Sequence, residues 1–175
     1  MGRTMNFRDY FSDQIESVRE SFGFTNQNKN GACSLEAPLV REITGRHKAL
    51  QALYAELDQF GLGMIVQNES GDSFALILPD ASEPGRFRYS AFRAIGWMTH
   101  YTCDTIDEVI LEAFQAGFRL VAPRDTLEKM SVTAEWLKGC ERLQFITAHN
   151  CGELSWNQML VEFEIIEAKY AAKAA

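Results

Sequence analysis

The sequence predicts an α+β fold in which an antiparallel sheet, built on a central hairpin at about residues 62–97 and extended by a strand at 118–122, is packed by several helices. Three observations carry this. Leu62, Met64 and Val66 alternate with Gly63, Ile65 and Gln67, Asn68 to Asp72 supplies Asn, Ser, Gly and Asp for a turn, and Ser73 to Leu78 resumes an apolar run. That is a hairpin pattern, because strand side chains point to alternate faces. Arg86 to Trp97 is extended again after the polar stretch Pro79 to Gly85, and a helix at Thr105 to Ala116 is stopped by Gly117 before Phe118 to Ala122 returns as a strand.

Taken in order, Phe7, Tyr10, Phe11, Ile15, Val18 and Phe22 recur at helical spacing, which predicts a helix from about Asn6 to Ser21 that Gly23 ends. Its aromatic stripe reads as core. The polar, Asn-rich stretch Phe24 to Ser34 reads as a mobile loop with Cys33 at its end. Pro38 suits the first turn of a second helix, where its missing N–H would have no partner. Leu39, Ile43, Leu50, Leu53, Tyr54, Leu57 and Phe60 continue that stripe to Gly61. Gly45 lies inside it and allows a kink near His47.

Within Arg86 to Trp97 the alternation changes partway, which a bulge near Ala91 to Arg93 explains by shifting the side chains by one residue. Thr105 and Glu108 have the spacing of a capping box, and Ile106, Val109, Ile110, Ala113 and Phe114 form a stripe suited to lie on the sheet. Those helices are expected mainly on one face of it. Asp125 begins a further helix through Leu127, Met130, Ala134 and Leu137, interrupted at Ser131 to Thr133 and ended by Gly139. Leu143 to Ala148 alternates like a strand, and Ser155 to Tyr170 carries both patterns, Trp156, Leu160, Phe163, Glu167 and Tyr170 for a helix and Val161, Phe163 and Ile165 for a strand, with the Ala-rich end favouring helix.

At 175 residues the chain suits one globular domain, residues 1–175, able to bury a core without disulfides or a structural metal. No apolar run nears the ~20 residues of a membrane span and the N-terminus lacks a signal-peptide core, so a cytoplasmic protein with no membrane contact is expected. There Cys33, Cys103, Cys140 and Cys151 stay reduced. The net charge of −7 disfavours direct nucleic-acid binding and favours a partner protein with a basic surface. Residues 101–175 hold 12 acids against 7 bases, so most of the excess lies there.

Three sets of residues are candidates for chemistry. His100, Cys103, His149 and Cys151 offer the nitrogen and sulfur ligands zinc prefers, but mixed pairs nearly fifty residues apart do not make the usual paired knuckles, and no cofactor is expected. Arg86, Arg88 and Arg93 interleave with Phe87, Tyr89 and Phe92 as in a stacking platform for single-stranded nucleic acid. Strict alternation would instead separate the Tyr89 ring from the charges of Arg86 and Arg88. His100 with Asp104, or His149 with Glu153, supplies a base and its orienter for a small hydrolase or transferase, without any reaction-specific motif around them.

The remaining reading is a small acidic module that binds another protein, with Glu108, Glu112, Glu162 and Glu164 on helix faces as partner-binding candidates. In layout the chain loosely resembles small accessory proteins carried by phages and plasmids. That resemblance implies an inhibitor or accessory protein acting on a host nucleic-acid-handling or defence complex.

Overall fold

A computed structural model describes residues 7–26 and 36–174. Cys33 and most of the predicted loop around it lie outside the described residues. A 3-10 turn at Phe7–Asp9 leads into α1 (Tyr10–Asn26), and α2 (Glu36–Phe60) follows as one continuous helix through Gly45. Helix α1 passes through Gly23 rather than ending there; glycine weakens a helix but does not oblige it to stop.

Five antiparallel strands in the order β4-β3-β2-β1-β5 form the sheet: β1 (Ile65–Gln67), β2 (Phe74–Pro79), β3 (Phe87–Arg93), β4 (Gly96–Cys103) and β5 (Leu120–Val121). The first hairpin is the predicted one. Asn68 holds its turn, accepting at Oδ1 from the amides of Asp72 and Ser73, both at 3.2 Å, while Gly71 adopts φ 71°. Only the left-handed region closes that turn, and glycine enters it without steric cost.

The second hairpin corrects the sequence reading. Arg86 to Trp97 is two strands joined at Ala94 and Ile95, with Arg93 paired to Gly96, and β4 then continues to Cys103. The expected bulge exists, but its extra residue lies on β4: Ala91 pairs with Thr99 and Phe92 with Trp97, so Met98 is left over. Strand β5 is shorter than predicted and pairs with β1.

Strand parity divides the side chains between two faces. Val66, Ala75, Ile77, Tyr89, Ala91 and Cys103 meet Phe11 of α1, Leu50, Leu53 and Tyr54 of α2, and Val109, Ile110 and Phe114 of α3 (Ile106–Gln115) in the larger core. A fully buried residue such as Leu53 contributes about 1.5–3 kcal/mol by leaving water. Helix α3 begins with the predicted capping box: Thr105 Oγ1 accepts from the Glu108 amide at 3.2 Å, and the Glu108 carboxylate accepts from the Thr105 amide at 3.1 Å. It ends at Gly117 with the Phe118 amide donating to Ala113 O at 3.0 Å.

The opposite face is covered too, against the expectation of helices mainly on one side. Here Ile65, Phe74, Phe92 and Ala122 pack with Trp136, and Leu127, Met130, Trp97 and Cys140 close around them. The covering helices are α4 (Thr126–Ser131) and α5 (Ala134–Asn150), separated by the predicted break, and α6 (Trp156–Ala174) packs along α5. Two expectations fail here for one reason. Leu143 to Ala148 is not a strand and Gly139 is not a stop, because both belong to α5, whose inward stripe of Trp136, Cys140 and Leu143 has helical spacing. Among the described residues, no helix is long and apolar enough to cross a membrane.

The loop before β3 is tied to β4 through Asp80. Its carboxylate accepts from Thr102 Oγ1 at 2.7 Å and from the amides of Ser82 and Glu83 at 2.7 and 3.0 Å, which, led by the Thr102 bond, lower its pKa to about 2. The carboxyl titrates lower in the folded protein than in the unfolded chain, so these bonds stabilise the fold above the unfolded value of 3.8. That contribution is lost as pH falls from there towards about 2. An NMR titration should place the Asp80 midpoint near 2 in the native protein, and Asp80→Asn should lose less melting temperature than the parent between these pH values.

Candidate functional site

The open part of the second sheet face is shaped by how closely α5 approaches β4. A Cβ on Gly139 would lie 1.7 Å from the carbonyl oxygen of Ile95, so only glycine fits where the helix crosses the β3–β4 turn. Gly96, at φ 108°, faces the same crossing, its absent side chain 3.5 Å from the Cys140 nitrogen. With the backbones in contact, Trp136 reaches under the sheet. Its ring centroid lies 5.8 Å from that of Phe92 and 5.5 Å from that of Trp97, both edge-to-face, and Phe74 stacks on Phe92 at 5.4 Å.

Beyond this cluster α5 no longer covers the sheet, leaving two hollows that share Trp97, Met98 and Leu143. One, of about 490 Å³, lies between the start of β4 and the α5–α6 pair, with Ile95, Ile146 and Phe163 completing its apolar lining and Glu135, Lys138 and Arg142 around it. The other, of about 440 Å³, lies over the sheet itself and is lined by Leu76, Leu78, Arg88, Ser90, Thr99 and His100. Ser90 and His100 are cross-strand partners there, and Ser90 is buried while His100 is exposed.

The cations of the first hollow are already engaged. Lys138 and Arg142 both bind the Glu167 carboxylate of α6, and the Lys138 bond is the leading reason that carboxyl titrates below its usual range. Glu141 accepts from Lys169 Nζ at 2.7 Å and from Tyr170 OH at 2.8 Å, so a second polar clamp fastens α6 to α5. The hollow therefore offers chiefly an apolar surface.

The soft-ligand set is not assembled. His100 and Cys103 are three apart on one strand, and alternation sends His100 to the second face and Cys103 into the larger core. His149 sits at the end of α5 with Nδ1 2.9 Å from Leu154 O and its ring against Trp156, and Cys151 is the exposed cap residue after it. Among the described residues, no group of three or more His, Cys, Asp or Glu converges as a metal site would. Burial raises the thiol pKa of both Cys103 and Cys140, the first with help from Glu108 and Glu112, so neither thiol is activated as a nucleophile.

The arginines of β3 are dispersed in the same way. Arg86 pairs with Glu83 and with Asp104 at 2.9 Å, Arg93 lies at the far end with Nε 3.4 Å from Ser73 Oγ, and Tyr89 is buried on the opposite face from Arg88. Arg88 alone lines the open hollow. The four glutamates fall into two pairs: Glu108 and Glu112 on α3 over the first face, Glu162 and Glu164 on α6 beyond the second. Glu108, whose carboxylate is engaged in the helix cap, is half-buried, as are Glu112 and Glu162, and Glu164 is exposed. Sequence reasoning missed Trp97, Met98 and Leu143, although the 136, 140, 143 spacing was a signal for the helix that brings them together.

Gly139 and Gly45 make opposite predictions. Gly139→Ala should destabilise the protein by roughly 1–3 kcal/mol in denaturant unfolding, because the added methyl meets backbone that cannot move aside. Gly45→Ala, with nothing within 4 Å in mid-helix, should stabilise it by about 0.4–1 kcal/mol.

No protein-family model, curated protein or solved structure matches this chain.

Proposed function

We propose that this protein is a binding module that holds another protein by an apolar anchor in the hollow between β4 and the α5–α6 pair, and that its acidic surplus draws in a partner with a basic surface. The observation that carries this reading is the hollow itself. Ile95 and Met98 are 59% and 52% exposed beside Trp97 and Leu143, while the neighbouring cations Lys138 and Arg142 are spent on Glu167. An exposed apolar patch with a polar rim suits a macromolecular contact better than a polar substrate, whose groups would need unpaired partners at the bottom of the site. The cytoplasmic setting, and an inhibitory or accessory role on a host nucleic-acid-handling or defence complex, belong to the same proposal and rest on composition and on the loose resemblance in layout.

A small-enzyme reading has one observation in its favour, the adjacency of Ser90 and His100 beside Arg88. In the binding reading the same residues are the polar rim.

Photo-crosslinking from position 98 of the full chain identifies the partner, and titration then tests the contact. Leu143→Asp should weaken binding about tenfold or more, mainly through faster dissociation, because it places a charge where an apolar anchor sits. Changing Glu108 with Glu112, or Glu162 with Glu164, to Gln should slow association, and raising salt should do the same, since exposed charges act over a Debye length of ~8 Å. If neither salt nor any of these substitutions alters the rates, the proposed surface is wrong. Turnover of a small ester or amide abolished by His100→Ala would replace the binding reading with the enzymatic one.

A further inference from the structure

We propose that the partner enters as an added strand: the free edge of β4 pairs with an extended segment whose side chains alternate between basic and apolar. This rests on the protein-binding reading and specifies how the contact is made. Among the described residues, β4 has β3 as its sole strand neighbour. It is eight residues long, against two for β5 at the other edge. Sheet edges are ordinarily guarded by charged side chains, proline or brevity, because unpaired backbone amides and carbonyls are a template for another strand. The sequence of β4, GWMTHYTC, has none of these three, and the two other guards it carries, a bulge and a covering helix, lie at its start.

The usable part of the edge is well defined. Helix α5 touches the beginning of β4, where Gly139 and Cys140 meet Ile95 and Gly96, and the bulge at Met98 follows. From Thr99 to Cys103 the strand is regular, each residue pairing in turn from Ala91 to Phe87 on β3. Thr99, His100 and Tyr101 are exposed, Tyr101 to 49%.

The chemistry on either side of this edge selects the occupant. Over the first face, α3 packs against β3 and β4 and carries Glu108 and Glu112, and Tyr101 stacks on Tyr89 at 6.1 Å. Over the second face lies the hollow that Thr99 and His100 share with Leu76, Leu78, Met98 and Leu143, mostly hydrocarbon with Arg88 and Ser90 at its rim. A strand added beside Thr99 to Cys103 sends alternate side chains to these two faces, so one set meets carboxylates and the other meets hydrocarbon. Main-chain bonds supply affinity and this alternation supplies specificity. A second copy of the chain suits the edge less well. Antiparallel pairing of β4 with itself keeps the same face on both sides, so it sets the Glu108 and Glu112 of two molecules on one surface, and each chain already carries a net charge of −7.

The probe is a displayed library of random peptides of about twelve residues, selected on the immobilised full chain, which spans the edge with residues to spare. Enriched sequences should alternate Lys or Arg with Val, Ile, Leu or aromatic residues. A resynthesised hit should lose affinity by about tenfold when alternate backbone amides facing the protein are methylated, since each lost ladder bond removes roughly 1 kcal/mol. Tyr101→Lys, an exposed edge charge, should weaken it by a similar factor, and Glu112→Gln by about threefold, the latter vanishing at high salt. Hydrogen exchange should slow at Thr99 to Cys103 on binding. A hit indifferent to amide methylation and to Tyr101→Lys overturns edge pairing while leaving protein binding intact. Enrichment without alternation, or no enrichment, also overturns it, and the partner titration then judges the wider reading separately. A dimer of the unliganded chain that Tyr101→Lys converts to monomer would assign the edge to a second copy instead.

Discussion

The contact between Gly139 and the Ile95 backbone is the constraint on which the second half of the molecule depends. A helix usually rests on a sheet through side chains, which keeps the two backbones well apart. Here the missing Cβ lets α5 descend onto the β3–β4 turn, and a methyl group at that point would overlap the Ile95 carbonyl. Trp136, one turn earlier, is thereby driven beneath Phe92 and Trp97, and Cys140 and Leu143 follow along the same stripe. Helix α6 takes its position from α5 in turn, through the Glu167 and Glu141 clamps. The apolar hollow is the space left where α5 rises from the sheet again, so one glycine fixes both the second core and the opening beside it.

The sheet thus separates two kinds of chemistry by strand parity alone. Odd-numbered Ala75 and Ile77 of β2 and Phe87, Tyr89 and Ala91 of β3 enter the larger core under α1, α2 and α3, while even-numbered Phe74, Leu76, Ser90 and Phe92 look the other way. Because the bulge leaves Met98 unpaired on β4, Trp97 joins the even-numbered residues of β3 while Thr99 to Cys103 resume the register. Without that extra residue, Trp97 would point into the first face and the aromatic cluster around Trp136 would lack a member. The bulge is therefore part of how the second face is built, and it also ends the region where α5 guards the edge.

What the sequence made legible follows from where local signals were complete. The hairpin at Asn68, the capping box of α3, α2 from its proline onward and the break between α4 and α5 all carry their own turn or cap chemistry within a few residues. Strand β4 was lost because its residues alternate only after the bulge, and because half of them are exposed at an edge rather than buried on one side. Helix α5 was cut at Gly139, whose reason for being glycine is a carbonyl more than forty positions earlier in the chain; no local rule distinguishes that from a helix stop. The apolar hollow was illegible for the same reason, since Trp97, Met98 and Leu143 come from two elements that both had been assigned differently. The zinc constellation failed on parity: three residues along a strand is an odd step, and an odd step changes face.

The distribution of charge bears on how such a surface would work. The candidate glutamates do not form one patch. Glu108 and Glu112 belong to the layer over the first face, Glu162 and Glu164 to the outermost helix, and Glu108 is partly consumed by its own helix cap. Attraction of the proposed basic partner from a distance would therefore come from the summed charge of the molecule, which raises the rate of encounter without fixing orientation. Orientation must come from features of short range, and at β4 these lie side by side: carboxylates over one face, hydrocarbon over the other, and a backbone ladder between them. A peptide that satisfied only the charge would leave the hollow wet and dissociate quickly, and one that satisfied only the hollow would meet no ladder. Specificity in the proposed contact arises from requiring all three along the length of β4.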